Sequence, residues 1–179
     1  MISCLAQTIH RTWNGHALPA SEQIRFEIER RPKGLLIDFE APFYDDPAPL
    51  APVGPTDGLW EHEVFELFIA CQTAEGALET YTEIELGPYG HYLVLCLAGR
   101  RQAVSKLHEL RYKVYRSPGR WMGTALIPWE LLPPSPWNYN AYAIHGQGAT
   151  RTYQACFPVP GQAPDFHQLQ YFQPLAWAN

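Results

Sequence analysis

Apolar and charged residues alternate along Ile24-Arg25-Phe26-Glu27-Ile28-Glu29, which sets Ile24, Phe26 and Ile28 on one face of a half-buried strand. Pro32-Lys33-Gly34 then supplies turn chemistry, and residues 35–39 read as the returning strand of a hairpin. Residues 63–70, 80–86 and 91–97 are strand-length runs rich in β-branched and aromatic residues, the last two separated by Gly87-Pro88-Tyr89-Gly90. They predict consecutive antiparallel strands in the middle of a sheet. Further strands are predicted at 110–115, 121–127, 140–145 and 151–157, with Ser117-Pro118-Gly119 turning between the first two. Pro128-Trp129-Glu130-Leu131-Leu132 predicts one helical turn, stopped by Pro133-Pro134. The chain carries neither a long amphipathic helix pattern nor a repeat of fixed period. The pattern predicts an all-β fold, a two-sheet antiparallel β-sandwich of jelly-roll type with little helix.

Length and composition narrow this further. The 179 residues suit a single domain spanning 1–179, and 17 Pro with 6 Trp, 10 Tyr and 8 Phe suit strands joined by rigid loops. Prolines concentrate at 41–58, where Pro42, Pro47, Pro49, Pro52 and Pro55 with Gly54 exclude helix and central strand; the stretch is expected to act as a lid or an edge cover. The net charge is −5 and no basic run offers a track for phosphates, so nucleic acid is not an expected partner. Apolar runs fall short of the roughly 20 residues that span a bilayer, so no membrane association is expected. Met1-Ile2-Ser3-Cys4-Leu5-Ala6-Gln7 lacks a positive n-region, which points to a cytosolic setting. Cys4, Cys71, Cys96 and Cys156 form no CxxC or CxxH spacing and are expected as free thiols.

Candidate chemistry centres on two adjacent strands. Along 63–70, Val64, Glu66 and Phe68 share one face; along 80–86, Tyr81, Glu83 and Glu85 do. If the strands pair, Glu66 faces Glu83 or Glu85, and carboxylates that close need a proton, a cation or an arginine. Arg100 and Arg101, just past the next strand, are the expected partners. The arrangement reads either as a polar pocket for a hydroxylated ligand or a cation such as calcium, or as a solvated face with internal salt bridges. His62, His145 and His167 are scattered, without HxH or HExxH spacing, and Asp165 is placed to fix the loop around His167. No GxSxG elbow, reactive thiol or phosphate loop occurs. Trp60, at the exit of the proline-rich loop, is the tryptophan expected to be exposed for stacking on a ligand ring.

Together these segments resemble a known group. Asp57-Gly58-Leu59-Trp60-Glu61-His62-Glu63-Val64-Phe65-Glu66-Leu67-Phe68, Tyr81-Thr82-Glu83-Ile84-Glu85-Leu86 and Pro88-Tyr89-Gly90-His91-Tyr92 are similar to DOMON-like domains related to carbohydrate-binding module family 9. Leu97-Ala98-Gly99-Arg100-Arg101, Ile127-Pro128-Trp129, Ala143-Ile144-His145-Gly146, Phe157-Pro158-Val159-Pro160 and Pro164-Asp165-Phe166-His167 bring the likeness closer, to the family of human chromosome 4 open reading frame 33 and its bacterial relatives, over residues 57–175. The resemblance implies a β-sandwich and no defined activity. Family 9 modules bind sugars between exposed tryptophans and can hold calcium, but their stacking pair matches no positions here. Haem-binding DOMON domains use Met and His axial ligands, and Met122 beside Trp121 in a strand does not suit that role. The positions that match by physical type are Trp60, His62, Glu66, Glu83, Arg100, Arg101, His145, Asp165 and His167.

The expectation is a binder of a small polar or carbohydrate-like ligand that uses these nine residues, without catalytic residues, metal or cofactor. The alternatives are a protein-interaction module using a sheet edge or the proline-rich loop, and a glycosidase-type hydrolase acting through Glu66 and Glu83.

Overall fold

The computed structural model describes residues 3–72 and 79–177. In chain order its strands are β1 (Cys4–Ile9), β2 (Arg11–Thr12), β3 (Ile24–Arg31), β4 (Gly34–Pro42), β5 (Val64–Cys71), β6 (Thr80–Leu86) and β7 (Tyr92–Ala98), followed by β8 (Ala103–Lys106), β9 (Arg111–Ser117), β10 (Arg120–Pro128), β11 (Trp137–His145), β12 (Thr152–Ala155) and β13 (Gln173–Pro174). One sheet runs β1-β3-β4-β10-β9 and the other β2-β12-β11-β5-β6-β7-β8, with β13 pairing the free stretch of β11 beyond β12. All these pairings are antiparallel, and the molecule is the two-sheet β-sandwich that the alternation predicts.

The inward faces interdigitate as the period of two requires. Phe26, Ile28, Ile37, Phe39 and Trp121 from the smaller sheet meet Phe65, Leu67, Ile69, Ile84 and Val94 from the larger. Phe39 stacks on Phe65 across the interface with ring centroids 4.3 Å apart, and Trp121 sets its edge on Phe39 at 4.8 Å. Gly123 exists for this packing: a Cβ there would stand 2.4 Å from the Phe39 ring.

The outer face of the larger sheet is also buried, in a second cluster that positions the site. Val64, Phe68, Tyr81, Leu93, Tyr142 and Ile144 point outward and are covered by Leu59, Val159, Phe166 and Phe172. Being covered on both sides is why β5 reads as a nearly unbroken apolar run. The cover is the chain beyond β12, held down by Asn140, whose side chain donates to the Phe157 carbonyl (2.8 Å) and accepts from the Phe157 N–H (3.0 Å). Tyr142 stacks on Phe166 at 3.9 Å and donates its hydroxyl to the Phe166 carbonyl.

Four strands escape the periodicity. β1 is half-buried at an edge, β8 is fully exposed, and β2 and β13 have two residues each, so none carries a buried stripe to read. The predicted helical turn is a 3-10 turn at Trp129–Leu131, and the Leu131 carbonyl receives the Thr82 hydroxyl. β4 extends through Pro42, so the proline-rich connection begins at Phe43. It is pinned along its length: the Tyr44 and Asp46 N–H groups donate to Glu63, Tyr89 donates to the Asp46 carbonyl, and Gly54 and Thr56 bond Tyr92. All four cysteines are free thiols.

Substituting Gly123→Ala should destabilise the fold by about 1–3 kcal/mol through overpacking against Phe39. Urea unfolding checks this; an unchanged midpoint would show that the Phe39–Phe65 interface yields freely.

Candidate functional site

A pocket of about 460 Å³ opens on the outer face of the larger sheet. Its floor is Glu66 and Phe68 of β5, Glu83 of β6, and Leu95 and Leu97 of β7. The 3-10 turn Leu59–Glu61 brings Trp60 to one wall, 41% exposed, and the chain beyond β12 brings Phe166 and His167 to the other. Arg101, Lys106 and Asp57 also line it. Trp60 is held by its backbone: Arg151 donates to the Trp60 carbonyl, to the Glu61 carbonyl at 2.9 Å and to the Tyr153 hydroxyl at 3.1 Å.

Strand register puts Glu66 opposite Glu85 and Phe68 opposite Glu83, so three carboxyl groups share the outer face. Their exposures are 1%, 4% and 0% for Glu66, Glu83 and Glu85. One oxygen of Glu66, one of Glu83 and both of Glu85 receive no hydrogen bond from any other group among the described residues, which leaves a proton shared between Glu85 and Glu83 to join that pair. Burial raises Glu66 well above the ordinary carboxyl range, and Glu83 adds to the rise. Glu85 is raised in the same way by burial and by Glu66 and Glu83. Burial also lifts Glu83, to about 7, against a hydrogen bond from the Glu85 carboxyl and the attraction of Arg101. Glu85 therefore keeps its proton while Glu83 ionises near neutrality.

A donor chain aims at Glu83. The Arg101 N–H donates to the Tyr81 hydroxyl (2.9 Å), which donates to Nδ1 of His167 (2.8 Å). This leaves the proton of the neutral imidazole on Nε2, 3.9 Å from the Glu83 carboxyl. Burial and then Arg101 hold His167 down to about 4, so it is uncharged at neutral pH. Arg101 reaches this position with a left-handed backbone, φ 58°.

The cations expected to neutralise the glutamates are engaged elsewhere. Arg101 pairs with Asp165 at 2.6 Å, and Arg100 reaches Glu79 at 3.5 Å and Gln170 at 3.3 Å. Burial works to raise Asp165, but hydrogen bonds from Arg101 and Gln168 outweigh it and leave the carboxyl below its usual value. Asp165 also receives the His167 N–H (3.1 Å), the loop-fixing role expected of it. Lys106 pairs with Asp57. The solvated face with internal salt bridges is thus replaced by a buried face whose carboxyls, among the described residues, pair with no lysine or arginine, because the arginines lie at the outer turn where other acids are nearer.

Of the nine residues singled out, Trp60, Glu66, Glu83, Arg101 and His167 line the pocket, with Asp165 bonded to two of them. Arg100 sits beside it. His62 and His145 lie apart. His62 Nδ1 meets the Pro47 carbonyl at 3.1 Å, in the proline-rich segment. His145 stacks on Tyr44 at 3.5 Å in a separate crevice with Glu63 and Gln154. Parity along β11 explains this, since Ile144 faces the pocket and His145 the other side. Residues that sequence reasoning did not place here are Lys106, Asp57 and Phe166, which line the pocket, and Arg151, which holds Trp60. Glu85 had a signal, two residues from Glu83 on the same face.

No protein-family model matches the chain. It is 41% identical to the UPF0462 protein C4orf33 homolog of Rattus norvegicus, over 94% of this chain and 86% of the relative. The chain belongs to the UPF0462 family. UPF0462 relatives in Danio rerio (40% identical, 92% of this chain and 85% of the relative) and Homo sapiens (38%, 92% and 84%) agree. A solved structure described as a "putative carbohydrate-binding protein" from Bacteroides uniformis superposes on this UPF0462 fold with a TM-score of 0.71, covering 94% of this chain and 84% of that one. At 12% identity this likeness concerns the fold.

Glu63 and Glu83 at about 7, with Glu66 and Glu85 also raised well above their ordinary value, hold protons that the unfolded chain releases near 4.5. Their contribution to stability is complete below that value and is lost as pH rises through the folded values. His145 and His167, lowered by burial, oppose the trend only below about 6.5. Stability should therefore fall from pH 6.5 to 8, and Glu85→Gln should flatten the fall and raise Tm at pH 8 by about 2–4 °C per kcal/mol recovered. Thermal unfolding across this range checks it; a flat or rising profile in the parent chain contradicts the assignment.

Proposed function

We propose that this UPF0462 chain binds a small polar, carbohydrate-like ligand in the outer-face pocket without transforming it. The observation that carries the reading is the pairing of partnerless carboxyl oxygens on Glu66 and Glu83 with the exposed indole of Trp60, in one concavity of ligand size. Buried polar groups without partners lose free energy that a hydroxyl-bearing ligand restores, and a flat aromatic face suits a sugar ring. The fold likeness to the Bacteroides uniformis protein supports a binder and accords with membership of the DOMON-like group related to carbohydrate-binding module family 9. Four free thiols fit a reducing compartment such as the cytosol.

Titration of neutral mono- and disaccharides, read by thermal shift and tryptophan fluorescence, tests the reading. A raised Tm, about tenfold weaker binding in Trp60→Ala, and no product after prolonged incubation are expected. Ligands that leave Tm unmoved, or turnover that disappears in Glu66→Gln, would overturn it.

A further inference from the structure

We propose that the ligand carries a protonated amine, which seats on Glu83 and Glu66 between the aromatic walls of the pocket. This rests on the reading of the pocket as a small-ligand site and specifies the charge the ligand brings.

With its carboxyls ionised, the floor accepts hydrogen bonds and offers almost none. Among the described residues Glu66 and Glu83 each present a partnerless oxygen although both side chains are more than nine-tenths buried, and the Glu85 carboxyl backs them. The donors facing them are already committed. From β6, the Tyr81 hydroxyl is used by His167; from β11, the Tyr142 hydroxyl is used by the Phe166 carbonyl. At the turn after β7, Arg101 is tied to Asp165, and at β8, Lys106 is tied to Asp57. Beside β12, Arg151 is spent on the carbonyls of Trp60, Glu61 and Gly146. Among the described residues, what remains beside the Glu85 proton is Nε2–H of His167, 3.9 Å from Glu83.

What this floor lacks, once those protons are given up, is donors and positive charge. An ammonium group has three donors, no acceptor and one positive charge, whereas a hydroxyl brings one donor and further lone pairs to a surface that already has too many. Phe68, Phe166, Tyr153 and Trp60 line the same pocket, and aromatic surroundings favour a cation once water is displaced. A bare metal ion suits the place less well. Among the described residues, the group of three whose ligand atoms lie within 4.8 Å of one another is Cys4, Glu27 and Glu29 on the other sheet. The pocket carboxyls are spread along a cavity of about 460 Å³, which favours an organic cation with a body to fill it.

Isothermal titration of the full chain at pH 7 with glucosamine, N-acetylglucosamine and glucose tests this, run in two buffers of different ionisation enthalpy. Glucosamine is expected to bind at least tenfold tighter than the two neutral sugars and to release protons on binding, because the ammonium takes the place of protons on the carboxyls. Glu83→Gln should cost glucosamine at least tenfold more affinity than it costs glucose, and the proton-release measurement needs no variant. Tighter binding of 1,5-diaminopentane than of glucose would support the amine on a different body. Equal or tighter binding of glucose, or displacement of glucosamine by calcium at lower concentration, would overturn the amine and leave the pocket reading standing. Failure of all the sugars and the diamine to bind would overturn both.

Discussion

Three carboxyl groups lie under cover on one face of a sheet, and most of what is particular to this sandwich follows from having to accommodate them. Raising a carboxyl from the usual range to about 7, as at Glu83, corresponds to roughly 3 kcal/mol of disfavoured ionisation. Three charged groups in one such patch are beyond what a domain of ordinary stability tolerates. The protein meets this by protonation and sharing. Glu85 keeps its proton and donates to Glu83, and the ring of His167 is held neutral with its remaining N–H toward the same group.

The cover that creates the problem also shapes the cavity. Without the chain beyond β12, the outer face of β5, β6 and β11 would be wet, and Glu66 and Glu83 would be ordinary surface acids. Asn140 and Tyr142 bind that segment through its backbone, so its path is set by hydrogen bonds as well as by apolar contact. The segment stops short of filling the face, and Trp60 is brought to the gap by Arg151, which holds the backbone carbonyls of Trp60 and Glu61. The ion pairs of Arg101 with Asp165 and Lys106 with Asp57 then join the β7–β8 end of the sheet to the loops around it. Such partly exposed pairs add little to global stability and serve chiefly to fix side-chain positions.

The proline-rich segment has a separate role. Glu63, itself buried, accepts the Tyr44 and Asp46 N–H groups, and Gly146 donates to Asp46 at 2.5 Å. The segment is thereby bound to the ends of β5 and β11, with Leu50 and Val53 left exposed on it. It reaches the pocket only through Asp57, which ties it to Lys106. Membership of the UPF0462 family and the sandwich likeness both concern the scaffold; the pocket's chemistry belongs to the side chains set on it.

Local patterning was enough to predict the sandwich, the central place of β5 and β6, and the shared face of Glu83 and Glu85, because a period of two assigns faces within a strand without knowledge of neighbours; that Glu66 joins them was conditional on the pairing that the register supplies. It also marked Trp60 by its position after a rigid loop. Whether those glutamates would be wet or dry, and which cations would reach them, could not be read locally. The deciding contacts join Tyr81 to His167 across 86 positions and Arg151 to Trp60 across 91. Arg100 and Arg101 are near Glu83 along the chain, yet the turn after β7 carries them to Glu79 and Asp165, while His145 loses the pocket by one residue of parity on β11. Sequence determined which way each side chain points from its own strand. Only the tertiary structure decided what covers that face, because the cover is a distant segment whose docking depends on many weak contacts formed together.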